Sequence, residues 1–304
     1  METEVLAPDS YDRISLDDVV RGKVAVLTGC LQHAGLFDDV VAATLDVVED
    51  VGGIAARAAV ERDGFEKLHH HMGMEEAIKV RPRLADRLSD DVVGLVSPIL
   101  AGLGRSARSP YICGQVYVRI IMPEDIVAGY RSRLRGEAGF LVPHSPHRDS
   151  WFSQGTNSIN LWMAVGRVSA GNSLLVYPDV YHTDQGRSGN LVHPGEPLGR
   201  PVRYELSPGD VLLFHGDHVH SSEVNITEDT RYVITARVSV GAPKYNNKEG
   251  SSWVPYYHWG LAESRLRAVS SMRSRATVAY LRRRVLSRLS STLSRGSSTL
   301  SRGK

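Results

Sequence analysis

His147 and Asp149 stand one residue apart in the stretch Val142-Pro-His-Ser-Pro-His-Arg-Asp-Ser-Trp-Phe152. On an extended strand, side chains alternate faces, so this imidazole and carboxylate would project to the same side and offer two ligands to a metal ion. A third ligand must come from further along the chain. The stretch Ser207-Pro-Gly-Asp-Val-Leu-Leu-Phe-His-Gly-Asp-His-Val-His220 supplies three histidines after a Pro-Gly-Asp turn and a short apolar strand. Two histidines and a carboxylate make the facial triad of non-haem iron centres, a donor set that leaves positions open for a cosubstrate and O2. His-x-Asp alone is a weak signal; the distant histidine segment gives it weight.

Arg231 follows in Thr230-Arg-Tyr-Val-Ile-Thr-Ala-Arg-Val-Ser-Val240, an alternating run rich in β-branched residues that reads as a strand. A guanidinium projecting inward beside a metal has one evident partner, a carboxylate held by a two-pronged charge-assisted hydrogen bond. The far carboxylate of 2-oxoglutarate fits that description. Ser222, two residues after His220 and on the same face, is placed to bond the same acid.

With His147-x-Asp149, the His220-Ser-Ser-x-x-Asn225 segment and Arg231, the chain resembles the Fe(II)/2-oxoglutarate oxygenases of the phytanoyl-CoA dioxygenase-like superfamily, among them ectoine hydroxylase and natural-product tailoring enzymes. The segment Gly171-Asn-Ser-Leu-Leu-Val-Tyr-Pro-Asp-Val-Tyr-His182 is similar to the family's segment between the ligands, with Asp179 where the family has glycine. The resemblance spans residues 20 to 260. It implies that His220, rather than His215 or His218, closes the triad, because only His220 has both the Ser-Ser-x-x-Asn continuation and Arg231 at the family's spacing. It implies Fe(II), 2-oxoglutarate as cosubstrate and O2, with succinate and CO2 as co-products of oxidising a substrate C–H bond. Family halogenases replace the carboxylate ligand by a small residue; Asp149 is present here, so hydroxylation is the expectation, with desaturation, cyclisation or demethylation reachable from the same chemistry. A zinc hydrolase using the same three ligands, or a non-catalytic cupin-like binding module, are the rival readings.

Further site candidates come from neighbouring strands. In Pro110-Tyr-Ile-Cys-Gly-Gln-Val-Tyr-Val-Arg-Ile-Ile-Met-Pro123, read as one strand, Gln115, Tyr117 and Arg119 share a face. By likeness to the family this strand lends polar side chains to the cosubstrate (Gln115, Arg119) and substrate (Tyr117); alternatively the three face solvent on an outer sheet. Ser158-Ile-Asn-Leu-Trp-Met-Ala-Val165 alternates, so Asn160 and Trp162 share a face and either line a pocket or sit in a plain core strand. Trp151 shares the ligands' face if their strand continues, as a wall of the substrate cavity, and His144 is a cosubstrate contact or a support to the ligands. The run His69-His70-His71 cannot turn all three rings to one ion from a single regular element, and reads as a pocket rim or solvated face.

The elements that must position these residues suit a protein that is mainly β with flanking helices, a double-stranded β-helix of the jelly-roll, cupin-like kind. Within 304 residues, 42% hydrophobic and 23% charged, one β-rich domain accounts for most of the chain. A first strand is expected over Val24–Gly29, a helix over Phe37–Val51 with Val40, Val41, Leu45 and Val48 on one face, and a helix from Met74 to Leu88 interrupted at Pro82. Residues 1–20 read as a mobile lead-in, 21–260 as the oxygenase domain, 261–289 as a basic helical segment, and 290–304 as a disordered tail built on the duplicated Ser-Ser-Thr-Leu-Ser-Arg-Gly. The residues from Glu263 onward hold ten Arg, one Lys and one acid, leaving 25 of the 36 basic and 33 of the 34 acidic residues in the body, a net of about −8. That sign disfavours nucleic acid as partner and leaves a small molecule, partly polar, of the secondary-metabolite or amino-acid-like kind. Cys30 and Cys113 cannot build a disulfide framework, and neither a membrane span nor a secretory leader is readable, so a cytoplasmic location is expected. Oligomeric state is not encoded in any pattern.

Overall fold

The computed structural model describes residues 3–152, 154–246 and 254–259. Seven helices lie in it: α1 (Leu16–Val20), α2 (Cys30–His33), α3 (Phe37–Asp63), α4 (Leu68–His71), α5 (Met74–Asp90), α6 (Val92–Gly102) and α7 (Glu124–Ala128). The strands are β1 (Thr3–Leu6), β2 (Val24–Leu27), β3 (Pro110–Cys113), β4 (Tyr117–Ile121), β5 (Ser158–Ala164), β6 (Leu174–Tyr177), β7 (Arg187–Ser188), β8 (Leu191–Val192), β9 (Val202–Tyr204), β10 (Val211–His215), β11 (Val219–Ser222), β12 (Arg231–Val240) and β13 (Tyr256–His258).

Alternation along the strands builds three layers. The major sheet runs β1-β2-β10-β5-β12-β3-β13, with β4 also paired to β12, and the minor sheet runs β11-β6-β9. Ile159, Leu161 and Met163 of β5 and Tyr232, Ile234, Ala236 and Val238 of β12 turn to one side and pack with the apolar faces of α3, α5 and α6. Their neighbours Trp162, Ala164 and Val233 turn to the other side and meet Leu174, Val176 and Tyr204 of the minor sheet. Both faces of β12 are thus buried, which is why it reads as an almost unbroken apolar run. The result is mainly β with flanking helices, and two facing sheets of the double-stranded β-helix. Hydrogen bonding does not close them into one barrel among the described residues.

Several expectations need correcting. Residues from Thr3 onward are built into the fold rather than leading loosely into it. β1 pairs in parallel with β2 from Thr3↔Val24 to Leu6↔Leu27, Ser15 and Asp18 form a capping box on α1, and Ile14, Leu16 and Val19 are buried. The polar composition of this stretch masked a few well-placed apolar anchors. The helix begun at Phe37 continues to Asp63 but is broken at Gly53, whose φ of 83° only glycine adopts freely, so the amphipathic pattern expected to end at Val51 marks a true boundary. Pro82 does not interrupt α5, where Met74, Ala77, Val80, Leu84 and Leu88 form one buried face that outweighs the lost backbone bond. The single strand expected over 110–123 is split: Ile112 faces Val238 and Tyr117 faces Thr235, so four intervening residues here face two on β12 and a bulge of two extra residues falls around Gly114 to Val116. The segments 261–289 and 290–304 lie outside the described residues. Among the described residues no helix is long and apolar enough to cross a membrane.

The helix layer is tied to the major sheet by a buried pair. The Tyr232 hydroxyl lies 2.7 Å from Thr44 Oγ1, which itself donates to the Val40 carbonyl at 2.7 Å. Tyr232→Phe removes this link without opening a cavity, and the stability measured by urea unfolding is expected to fall by about 1 kcal/mol with an unchanged denaturant slope.

Candidate metal centre

The site begins with a backbone pairing. His147 N–H donates to the His220 carbonyl and His220 N–H to the His147 carbonyl, both at 3.0 Å, so the two residues are a directly opposed antiparallel pair. This extends the minor sheet by one bridge and sets the two rings 4.3 Å apart. Asp149 follows differently from the expected strand geometry. It opens a 3-10 turn over Asp149–Phe152, and its N–H is fixed to the Gly216 carbonyl at 2.9 Å. Gly216 gives that approach room, since a Cβ there would lie 3.2 Å from the Asp149 Cβ and crowd it.

The three donors converge. Asp149 Oδ1 is 3.9 Å from His147 Nε2 and 3.8 Å from His220 Nε2, and all three side chains are buried. No other cluster of this kind occurs among the described residues. The tautomers are set by the backbone: His147 Nδ1–H donates to the Ser145 carbonyl at 2.8 Å and His220 Nδ1–H to the His218 carbonyl at 2.9 Å. Each Nε2 therefore presents its lone pair inward, the arrangement a metal-binding imidazole requires. Burial, first of all, holds both imidazoles below their ordinary pKa, His147 well below, the nearby rings adding to this at His147. Burial alone would raise the Asp149 carboxyl, but the Arg237 guanidinium, the two histidines and Asn160 together hold it well below the usual carboxylate range. Two neutral imidazoles and an ionised carboxylate fit a divalent iron ion.

Asp149 is itself held by residues of the major sheet. Asn160 Nδ2 donates to Oδ2 at 2.6 Å, Arg237 Nε to Oδ2 at 3.4 Å and Arg237 Nη2 to Oδ1 at 3.2 Å. Arg237 was not singled out from the sequence, although Arg231, Val233, Thr235 and Arg237 share one face of a strand by parity alone. Asn160, a candidate substrate contact, both lines the cavity and serves this carboxylate. Tyr117 stacks behind the site, with the Arg237 guanidinium 4.4 Å from its ring centre.

Arg231 is 1% exposed and reaches the site through Ser222, which lines the cavity. Nη1 donates to the carbonyls of Asn172 at 2.9 Å and Ser173 at 3.0 Å, and Nη2 donates to Ser222 Oγ at 3.0 Å. Nε has no partner, and among the described residues no carboxylate pairs with this cation. Burial lowers its pKa to about 9, with Arg119 adding to the effect. Arg119 donates to Thr235 Oγ1 at 2.7 Å, and burial lowers it to about 10. One narrow cavity is lined by His147, His220, Ser222, Arg119, His144, Asn160, Trp162, Phe214 and Arg237.

The structure therefore brings together His147, Asp149, His220, Arg231, Ser222, Arg119, His144, Asn160 and Trp162. His144 lies over the ligand His147, ring centres 4.0 Å apart. Three candidates fall elsewhere, Tyr117 among them, since it lies behind Arg237 and does not line the cavity. Gln115 sits in the bulge and accepts from the Tyr117 hydroxyl at 3.2 Å rather than lining the cavity. Trp151, turned away by the 3-10 turn, lies in a separate cleft between the guanidinium groups of Arg148 and Arg187. His215 and His218 are committed to other partners, His215 to Tyr181 and the Thr156 carbonyl and His218 to the Gly22 carbonyl. His69, His70 and His71 all lie on α4, away from the triad: His69 and His70 line a surface cleft, His69 against Thr230, and His71 lies against Asp63.

Residues 132–233 match the model of the phytanoyl-CoA dioxygenase (PhyH) family. That span contains His147, Asp149, His220, Ser222 and Arg231, so the resemblance read from the motif stands on the same residues that meet in the fold. Among solved structures the chain is similar to the epimerase SnoN in complex with Fe3+, alpha ketoglutarate and nogalamycin RO, at 16% identity and a TM-score of 0.42 over 86% of this chain and 96% of that one. It is similar to the non-heme monooxygenase ThoJ at 12% identity and 0.39, covering 66% and 70%, and to the non-heme alpha ketoglutarate dependent carbocyclase SnoK at 15% and 0.35, covering 66% and 72%. No curated protein matches the chain.

The depressed histidines make stability depend on pH. An unfolded histidine titrates near 6.5, whereas His147, His220 and His218, the last pushed down to about 3, refuse the proton when folded. Below about pH 6.5 the unfolded chain binds more protons than the folded one, so stability falls as pH falls, approaching about 1.4 kcal/mol per pH unit per histidine. Urea unfolding of the metal-free protein between pH 7.5 and 5.5 is expected to show this loss, and a flat profile would contradict the buried neutral histidines.

Proposed function

We propose that the protein is an Fe(II)/2-oxoglutarate-dependent oxygenase that hydroxylates, or otherwise oxidises, a C–H bond of a small molecule. The observation that carries this reading is the pairing, around one interior, of a buried His147/Asp149/His220 triad with a buried Arg231 that has no acid of its own. A metal hydrolase has use for the first but not the second. An unpaired buried guanidinium is costly, and a carboxylate arriving from outside would offset that cost.

His147 Nε2, His220 Nε2 and Asp149 Oδ1 would hold the iron, which together with O2 and 2-oxoglutarate supplies the oxidising power, with succinate and CO2 as co-products. Arg231 and Ser222 receive the distal carboxylate of the cosubstrate by two-pronged and hydroxyl hydrogen bonds. Arg119, lining the same cavity, offers a further cationic contact, and His144 covers the ligand His147 from the outside. Asp149 fills the position that a small residue would leave open to chloride, which favours hydroxylation over halogenation. Trp162 and Phe214 give the cavity apolar walls beside Arg119 and Asn160, so the molecule oxidised is small and partly polar, of the secondary-metabolite or modified-amino-acid kind.

Purified protein mixed with Fe(II) and 2-oxoglutarate without oxygen is expected to show the weak visible charge-transfer band of the chelate. His220→Ala and Asp149→Ala should abolish the band, and Arg231→Ala should raise the 2-oxoglutarate concentration needed for it by about 100-fold, the loss of a charge-assisted pair worth about 3 kcal/mol. Tightly bound zinc and no band would overturn the oxygenase reading in favour of a hydrolase.

A further inference from the structure

We propose that Asn160 and Arg237 are positioning residues that lock Asp149 into binding its metal through one oxygen only, and thereby keep a coordination position free. The inference rests on the triad being a metal site, as proposed above.

A carboxylate next to a divalent ion can bind through one oxygen or through both, and the choice decides how many positions remain for other ligands. In this chain the choice is made before any ion arrives. Oδ2 is claimed by Asn160 at 2.6 Å and by Arg237 Nε at 3.4 Å. Oδ1 accepts Arg237 Nη2 at 3.2 Å and is also the oxygen that faces the two Nε2 atoms. The group that would have to rotate to present both oxygens is pinned on three sides, with Gly216 close behind it.

Neither partner is free to follow such a rotation. Asn160 is fixed in β5 between β10 and β12, opposite Phe214 on one side and Arg237 on the other. Arg237, 4% exposed, lies over the Tyr117 ring with its guanidinium 4.4 Å from the ring centre, and its remaining Nη1 has no partner. Placing a guanidinium beside a site for a dication costs metal affinity, so affinity alone does not account for this arrangement. Control of how the carboxylate binds does account for it, because Asn160 and Arg237 Nε occupy Oδ2 while Arg237 Nη2 reaches Oδ1, so that the arginine fork spans both oxygens and only Oδ1 is left facing the two imidazoles.

The test uses Co(II), whose visible spectrum reports coordination number without turnover. Wild-type protein is expected to bind one Co(II), and His220→Ala is expected to lose it; failure of that pair would refute the metal site itself. In Arg237→Met, Co(II) binding should be retained or tightened by up to about tenfold, while the spectrum shifts toward a higher coordination number. The 2-oxoglutarate concentration that perturbs the spectrum should rise 10- to 100-fold, roughly the range seen when supporting partners of metal ligands are changed. Arg237→Lys should recover most of the wild-type spectrum. Asn160→Ala should shift it in the same direction as Arg237→Met, and carries the test if the arginine variant proves unfolded by its melting curve. A spectrum and 2-oxoglutarate response identical to wild type in both variants would overturn the proposal. So would a folded Arg237→Met that binds no Co(II), since that outcome would make the arginine a requirement for metal binding rather than for its geometry.

Discussion

The reciprocal hydrogen bonds between His147 and His220 are the constraint on which the rest of the site depends. They are ordinary sheet bonds, yet they decide that two residues far apart in the chain face each other with rings on the same side. Register follows from them in both directions. Two residues past His220, Ser222 comes to the same face and meets Arg231, while Ser221 between them turns away toward Tyr177. A slip of one residue in β11 would put His220 outside and Ser221 in its place, so one pairing error would remove both the metal ligand and the support of the arginine. The segment β10 to β11 is correspondingly anchored, with Gly216 bonded to both Asp149 and Ser158.

Around this frame the protein buries three guanidinium groups, of Arg119, Arg231 and Arg237, of which, among the described residues, only Arg237 is ion-paired, to Asp149. A structure selected for stability alone would not do this, because taking charges out of water costs several kcal/mol each unless they are matched. The expense is carried by the two apolar cores, one between helices and major sheet and one between the sheets, which leave the site as a polar inclusion between well-packed layers. Departures from good local design concentrated at one place are what a functional site looks like in physical terms.

How much of this was legible in the sequence depended on whether period-2 alternation held. It held for β5 and β12, so Asn160 and Trp162 fell on the inward face, and Arg231 with them. It failed where the backbone left the regular strand. The bulge at Gly114 to Val116 carried Gln115 off the face it seemed to share with Arg119, and the 3-10 turn after His147 took Trp151 into another cleft. The ligand pair His147 and Asp149 was found for the right chemistry on the wrong geometry, since a turn rather than a strand brings the carboxylate round. Arg237 was within reach of parity from Arg231, but parity alone does not say that a second inward arginine meets the carboxylate of Asp149, a contact made between β12 and the 3-10 turn. The ordered opening segment was hidden because its apolar anchors are few, and strand pairing between β1 and β2 is a long-range fact that composition does not record.

The acid-free setting of Arg231 also has a thermodynamic consequence. Under the proposed function, an interior already rich in positive charge receives a dication at one end and a dianion that reaches from that ion to the arginine. Each therefore improves the electrostatic surroundings of the other, and linkage requires that the improvement be equal in both directions. Metal and cosubstrate then occupy the protein as a cooperative pair, so that the cell's supply of a common metabolite sets how firmly the enzyme holds its iron.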